Sequence, residues 1–282
     1  MSRSSTGRGR PHNRTGLLRS ELGLLFVRTR NRVLLVALAL IPVAIAIVVR
    51  VFTAPGAGEG PPFLASVTEN GLFVAFTGLA VTLPLFLPLA IGVVAGDSVA
   101  GEAGMGTLRY LLVVPAGRGR LLAVKLASIV VFSVAAAAVV AIAGMAIGAI
   151  LFPLGPVTLL SGDTISSADA ALRALYILLY VGGSLCGLGA IGLFVSTLTD
   201  VPIAAMATTV ALAIGSEIAD SIPQLHVVAP WLFTHYWLSF GDLLRQPIYT
   251  TAITKGLLLQ LAYVVVFGAA AWARFTTRDV LS

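Results

Sequence analysis

Six apolar stretches divide the chain, and every charged residue lies outside them. Val33–Val49, Asn70–Gly96, Leu126–Gly162, Ala174–Thr199, Val201–Ser216 and Gly256–Ala273 contain no Asp, Glu, Lys or Arg. A helix needs roughly 20 residues to cross the ~30 Å hydrocarbon core of a bilayer. The pattern therefore predicts six transmembrane helices, at about 33–52, 71–95, 121–152, 173–198, 201–222 and 256–273. The third stretch outlasts one span, and Pro153 is its expected stop. The predicted fold class is an all-α membrane protein. A single domain covers 14–282, after a Ser-, Gly- and Arg-rich tail over 1–13 that is expected to be disordered.

Residues 14–32 have a pattern of their own. At about 100° per residue, Leu18, Leu22, Leu25 and Phe26 fall on one stripe, with Arg19, Glu21, Arg28 and Arg30 away from it. Leu17, Leu24 and Val27 dilute the contrast. This predicts a moderately amphipathic N-terminal helix lying in the membrane interface; the alternative is a plain extension of the first span. The pairs Gly92–Gly96, Gly144–Gly148 and Gly183–Gly187 have the small-xxx-small spacing that lets membrane helices approach closely.

Composition narrows the class. Of 282 residues, 58% are hydrophobic and 11% charged, and the mean hydropathy is +0.99. Soluble domains carry about 25% charged residues, so this chain could not cover a water-facing surface. A soluble enzyme is excluded, and so is a disordered chain, which needs the opposite bias. The net charge is +6, and its placement sets the orientation: fourteen of the eighteen basic residues fall in 1–32, 96–125, 199–200 and 274–282. Cytoplasmic loops carry that excess, which places both termini in the cytoplasm with the chain multi-pass in the membrane; the alanine- and arginine-rich composition points to a high-GC bacterium, so a bacterial cell membrane is expected. Eight arginines before the first span read as a topology signal and an anionic-lipid contact, not as a nucleic-acid arm. Val33–Val49 exceeds the roughly 7–15 apolar residues of a signal peptide, and Arg50 follows it, so the first helix is expected to be retained.

No catalytic motif accompanies these spans. There is no G-x-x-x-x-G-K-[ST] to cradle phosphates and no H-E-x-x-H; His12, His226 and His235 do not share a helix face. The single Cys186 can form neither an intramolecular disulfide nor a thiolate cluster, and reads as a packed thiol. Gly182-Gly-Ser184-Leu-Cys186 begins like a serine-nucleophile elbow, but no histidine lies in a later span to activate Ser184. Glu217 and Asp220, three apart near the outer end of the fifth helix, share a face. They either line a pathway or pair with a substrate cation, Arg173 or Arg245, or else stand solvated above the hydrocarbon ahead of Pro223. Catalytic, cofactor and metal residues are expected to be absent, and no enzyme activity is expected of this chain.

The segment between the second and third spans is the most informative. Leu108, Leu111 and Leu112 give it an apolar face at i, i+3, i+4. Gly106 and Thr107 offer a helix start, Pro115 an end, and Arg118 and Arg120 open the next span. A short amphipathic cytoplasmic helix is predicted here, and a docking element suits it better than an active site.

The run Asp97…Glu102-x-x-x-Gly106-Thr107-Leu108-Arg109…Leu111-Leu112-x-x-Pro115-x-x-Arg118…Lys125 resembles the corresponding loop of ABC-2 type transporter permeases. Glu21-Leu22 before an arginine-rich stretch resembles that family's connecting helix. Gly192-Leu-Phe-Val-Ser196-Thr-Leu-Thr resembles the end of its fourth span, and Arg274-Phe-Thr-Thr-Arg278-Asp279 its basic tail. The resemblance implies a permease subunit of an ATP-binding cassette exporter that pairs with a second permease copy or a sister permease. It also implies a separate ATPase subunit, which would bind ATP and Mg and would receive a coupling helix around Glu102–Leu112. Asp97, Glu102, Arg109 and Arg118 would contact that subunit or hold the loop. The substrate is expected to be hydrophobic or amphipathic; membrane lipids are the other partners, and nucleic acid is not one. The alternative is a non-transporting membrane anchor or assembly partner. An ion-coupled secondary transporter is disfavoured, because repeats, broken helices and midplane charges are not evident in the sequence.

Overall fold

The computed structural model describes residues 16–52, 70–106, 117–155, 157–159 and 161–277. The predicted disordered tail at 1–13 lies outside them. Nine α-helices are described: α1 Gly16–Val27, α2 Thr29–Phe52, α3 Leu72–Thr82, α4 Phe86–Gly104, α5 Arg118–Leu151, α6 Ser167–Ser184, α7 Cys186–Leu198, α8 Pro202–Ser221 and α9 Thr251–Thr277. A two-residue antiparallel hairpin, β1 Val157–Thr158 with β2 Thr164–Ile165, joins α5 to α6. Three 3₁₀ turns lie between α8 and α9. Six helical stretches are long and apolar enough to cross a membrane, with α6 and α7 counted as one. The chain is an all-α, multi-pass membrane protein.

Several helices run past the charge-free stretches into charged residues. α5 begins at Arg118 and α9 runs Thr251–Thr277, because charged side chains at span ends reach past the hydrocarbon without breaking the helix. Two predicted spans are interrupted. The second divides into α3 and α4 around Leu83–Leu85, where Pro84 cannot supply a backbone donor. The fourth divides at Leu185, and the groups freed there are satisfied from elsewhere: the Trp237 indole Nε1 donates to Ser184 O (2.8 Å), and Gly187 N donates to Gln260 Oε1 (3.1 Å). A break inside a membrane span survives only where such partners exist.

The N-terminal helix forms as a separate element. A bend at Arg28 divides α1 from α2, and the freed carbonyls of α1 are capped by side chains: Asn31 Nδ2 donates to Leu25 O (2.8 Å) and Arg32 Nε to Phe26 O (2.9 Å). Leu25 and Phe26 pack on the core while Leu24 and Val27 stay exposed, as the helical spacing of about 100° per residue selects.

Each of the three glycine pairs marks a helix crossing. Gly92 and Gly96 face α8, Gly144 and Gly148 face α3, and Gly183 and Gly187 face α9. At Gly96 a Cβ would stand 2.6 Å from Met206 N, so only glycine admits that approach. The core of the bundle is α4, α5 and α7, with Phe132, Leu87, Ile91, Leu188 and Leu193 among its fully buried side chains.

Candidate functional site at the basic end of the bundle

The end of the bundle that gathers Arg28, Arg30, Lys125 and Arg118 also holds the described members of the predicted loop. Asp97 accepts from two arginines at one oxygen, Arg28 Nη1 at 2.9 Å and Arg30 Nη2 at 2.6 Å to Oδ2. One turn further along α4, Glu102 Oε1 meets Lys125 Nζ of α5 at 2.6 Å, and Glu21 Oε1 of α1 stands 3.5 Å from the same ammonium. Lys125 is 4% exposed. Three cations thus face three carboxylates across α1, the α1–α2 bend, α4 and α5. A buried charge costs several kcal/mol unless compensated, and here each has an opposite partner. The cluster encloses a small polar recess of about 40 Å³ lined also by Asn31 and Ser128.

The helix ends explain how the arms of the loop are placed. Gly106 closes α4, and the helix predicted to start at Gly106–Thr107 would run through residues outside the described ones. The Gly106 φ of +69° is the left-handed position after a helix C-terminus, and Gly106 N donates to Ala103 O (2.9 Å). On the other arm, Arg118 Nη1 reaches Thr276 O (3.1 Å), tying the start of α5 to the end of α9, where carbonyls lack helical partners. Thr107, Leu108, Arg109, Leu111, Leu112 and Pro115 lie outside the described residues, as do Arg278 and Asp279. So Asp97, Glu102 and Arg118 all make contacts within the chain: Asp97 with the α1–α2 bend and the start of α2, Glu102 with α5, and Arg118 with α9.

A second polar network, absent from the sequence reading, lies at the opposite end. The connection between α8 and α9, which lies outside the predicted spans, folds into the bundle. Trp237 is buried, Tyr180 OH donates to Tyr236 O (2.5 Å), and Gln260 Nε2 donates to Phe233 O (2.6 Å). Arg173 donates to Leu243 O and Arg245 O and to Gln246 Oε1. Neither arginine predicted as a partner of Glu217 and Asp220 serves them: Asp220 Oδ1 pairs with His235 Nδ1 at 2.6 Å, and Arg245 approaches Asp242. Ser184 is buried, with its carbonyl engaged by Trp237. The sequence signal that could have found this network is weak: isolated polar or aromatic side chains such as Tyr180 and Gln260 inside apolar runs, with Trp237 in the connection between α8 and α9.

A family model described as "Protein of unknown function (DUF2705)" matches residues 44–281. The chain belongs to this family. Its matched region takes in five of the six spans whole and Asp97, Glu102 and Lys125, while Glu21, Arg28 and Arg30 precede it. No curated protein matches the chain significantly.

Proposed function

We propose that this DUF2705 member is the permease subunit of an ATP-driven exporter of the ABC-2 type. A hydrophobic or amphipathic substrate would be moved by ATP hydrolysed on a separate subunit at the cytoplasmic side. The observation that carries the reading is the bracket around residues 107–116. Its two arms, the end of α4 and the start of α5, are bound to each other through Glu102–Lys125, to α1 through Lys125–Glu21, and to the α1–α2 bend and the start of α2 through Asp97–Arg28 and Asp97–Arg30. Force applied to the intervening segment would pass into α4 and α5 as one unit instead of bending a slack loop. That is what a coupling element requires, and it agrees with the sequence resemblance over the same residues.

The energy source must lie elsewhere, since the sequence holds no nucleotide-binding motif. The basic end, rich in arginine, would face the cytoplasm, and a second permease copy or sister permease would complete the pathway.

The test is affinity purification of the tagged chain from mild detergent. An ATP-binding subunit is expected to co-purify. Leu108→Asp with Leu112→Asp should release it while the six spans still insert, and Glu102→Ala should weaken its coupled ATPase activity. Recovery without any ATPase, or with association indifferent to both variants, would overturn the proposal in favour of a membrane anchor.

A further inference from the structure

An apolar groove of about 670 Å³ lies towards the opposite end of the bundle. Its origin is topological. α3 and α6 each pack along α5 but have no comparable contact with one another. The space left between them is floored by Met145 of α5 and walled by Phe76 of α3 and by Ala170 and Ala174 of α6. Alanines at these α6 positions leave the volume that larger side chains would fill. Leu154 and Gly155 roof it, pinned where Asn70 Nδ2 donates to Gly155 O (2.9 Å) and Gly71 N to Pro153 O (3.1 Å).

The lining chemistry excludes a polar ligand. No charged residue is among the described lining residues, and Ser166 supplies the sole polar side chain. Its hydroxyl is already engaged, accepting from Asp169 N and donating to Asp169 Oδ2. Depth is set by helix rise: Ala174 stands seven residues into α6 and Met145 six residues before the end of α5, about 10 Å from either helix end. At the same level α6 turns Leu172, Leu175, Tyr176 and Leu179 outward, as expected of a surface in hydrocarbon. Water entering such a groove would find no partners, and an empty groove would forfeit the dispersion contacts of its whole lining. Its volume falls in the roughly 300–1,000 Å³ range of ligand sites.

We infer that the groove between α3, α5 and α6 is a binding site for an acyl chain of a bilayer lipid. The chain enters past Ala171, which is exposed at the mouth, and lies against Phe76 and Met145 beneath the Leu154–Gly155 roof. The site needs only the surrounding membrane, whatever the protein transports.

The test uses the full chain in phosphatidylethanolamine–phosphatidylglycerol vesicles doped with a phosphatidylcholine carrying a diazirine in its acyl chain. After irradiation, adducts mapped by mass spectrometry are expected on Met145 and Phe76 as well as on freely exposed Leu258 and Val265 of α9. Ala174→Phe, which fills the groove, should abolish the Met145 and Phe76 adducts and leave those of α9. Ala171→Phe, at an exposed position where packing is not at stake, should reduce them by obstructing the mouth, so the outcome does not hang on one variant folding. Absence of adducts on Met145 in the wild-type protein would overturn the inference. So would adducts that survive both substitutions.

Discussion

Lys125 shows what one residue does in this fold. Its ammonium is nearly inaccessible yet sits between the carboxylates of Glu102 and Glu21. Lys125→Met should leave Glu102 buried without its main counter-charge, a loss on the order of 3 kcal/mol, read as a lowered unfolding temperature in detergent. Replacing both partners, Lys125→Met with Glu102→Leu, should recover most of that loss, because a buried pair exchanged for apolar side chains is often near neutral. Equal destabilisation by the single and double variants would show instead that the ion pair is itself net stabilising and not merely costly to break. The carboxylates Asp97 and Glu102 were legible in the sequence as unusual charges at the edge of an apolar run. Their partners were not, since Arg28 lies 69 residues from Asp97 and Lys125 lies 23 from Glu102, and charge alone does not say which cation meets which carboxylate.

At the scale of elements, small residues decide which helices touch. Gly96 meets the backbone of α8 at Met206, with no room for a Cβ. Gly96→Ala should force α4 from α8 and cost about 1–3 kcal/mol. Gly23→Ala, on α1, meets nothing within 4 Å and should instead gain up to about 1 kcal/mol from helix propensity. Thermal unfolding of the two variants checks the contrast; shifts of the same sign would mean that propensity, not the crossing, governs both positions. The breaks near Leu83 and Leu185 belong to this scale as well. Pro84 announces the first. The second has no proline, and its existence depends on Trp237 and Gln260 arriving from distant segments to take up the freed groups. Periodicity could not reveal it, because an apolar run reads the same whether its helix is whole or divided.

For the molecule as a whole, charge predicts orientation and the fold supplies the places to test it. The basic end should face the cytoplasm and the hairpin end the outside. In a Cys186→Ser background, Ser161→Cys in the exposed hairpin turn should react with a membrane-impermeant maleimide on intact cells, whereas Arg19→Cys on α1 should react only after permeabilisation. The reverse pattern would invert the topology. What the sequence determined by itself is the membrane as solvent, and the number of spans and their approximate places. Hydrocarbon length and the cost of buried charge dictate these locally, residue by residue. Only the tertiary structure decided that Asp97 and Glu102 bind arginines and a lysine of the same chain, and that the connection before α9 folds into the bundle. It alone leaves α3 and α6 apart, with a groove between them. Each of these depends on which helices become neighbours, and that choice is made by packing among segments far apart in the chain.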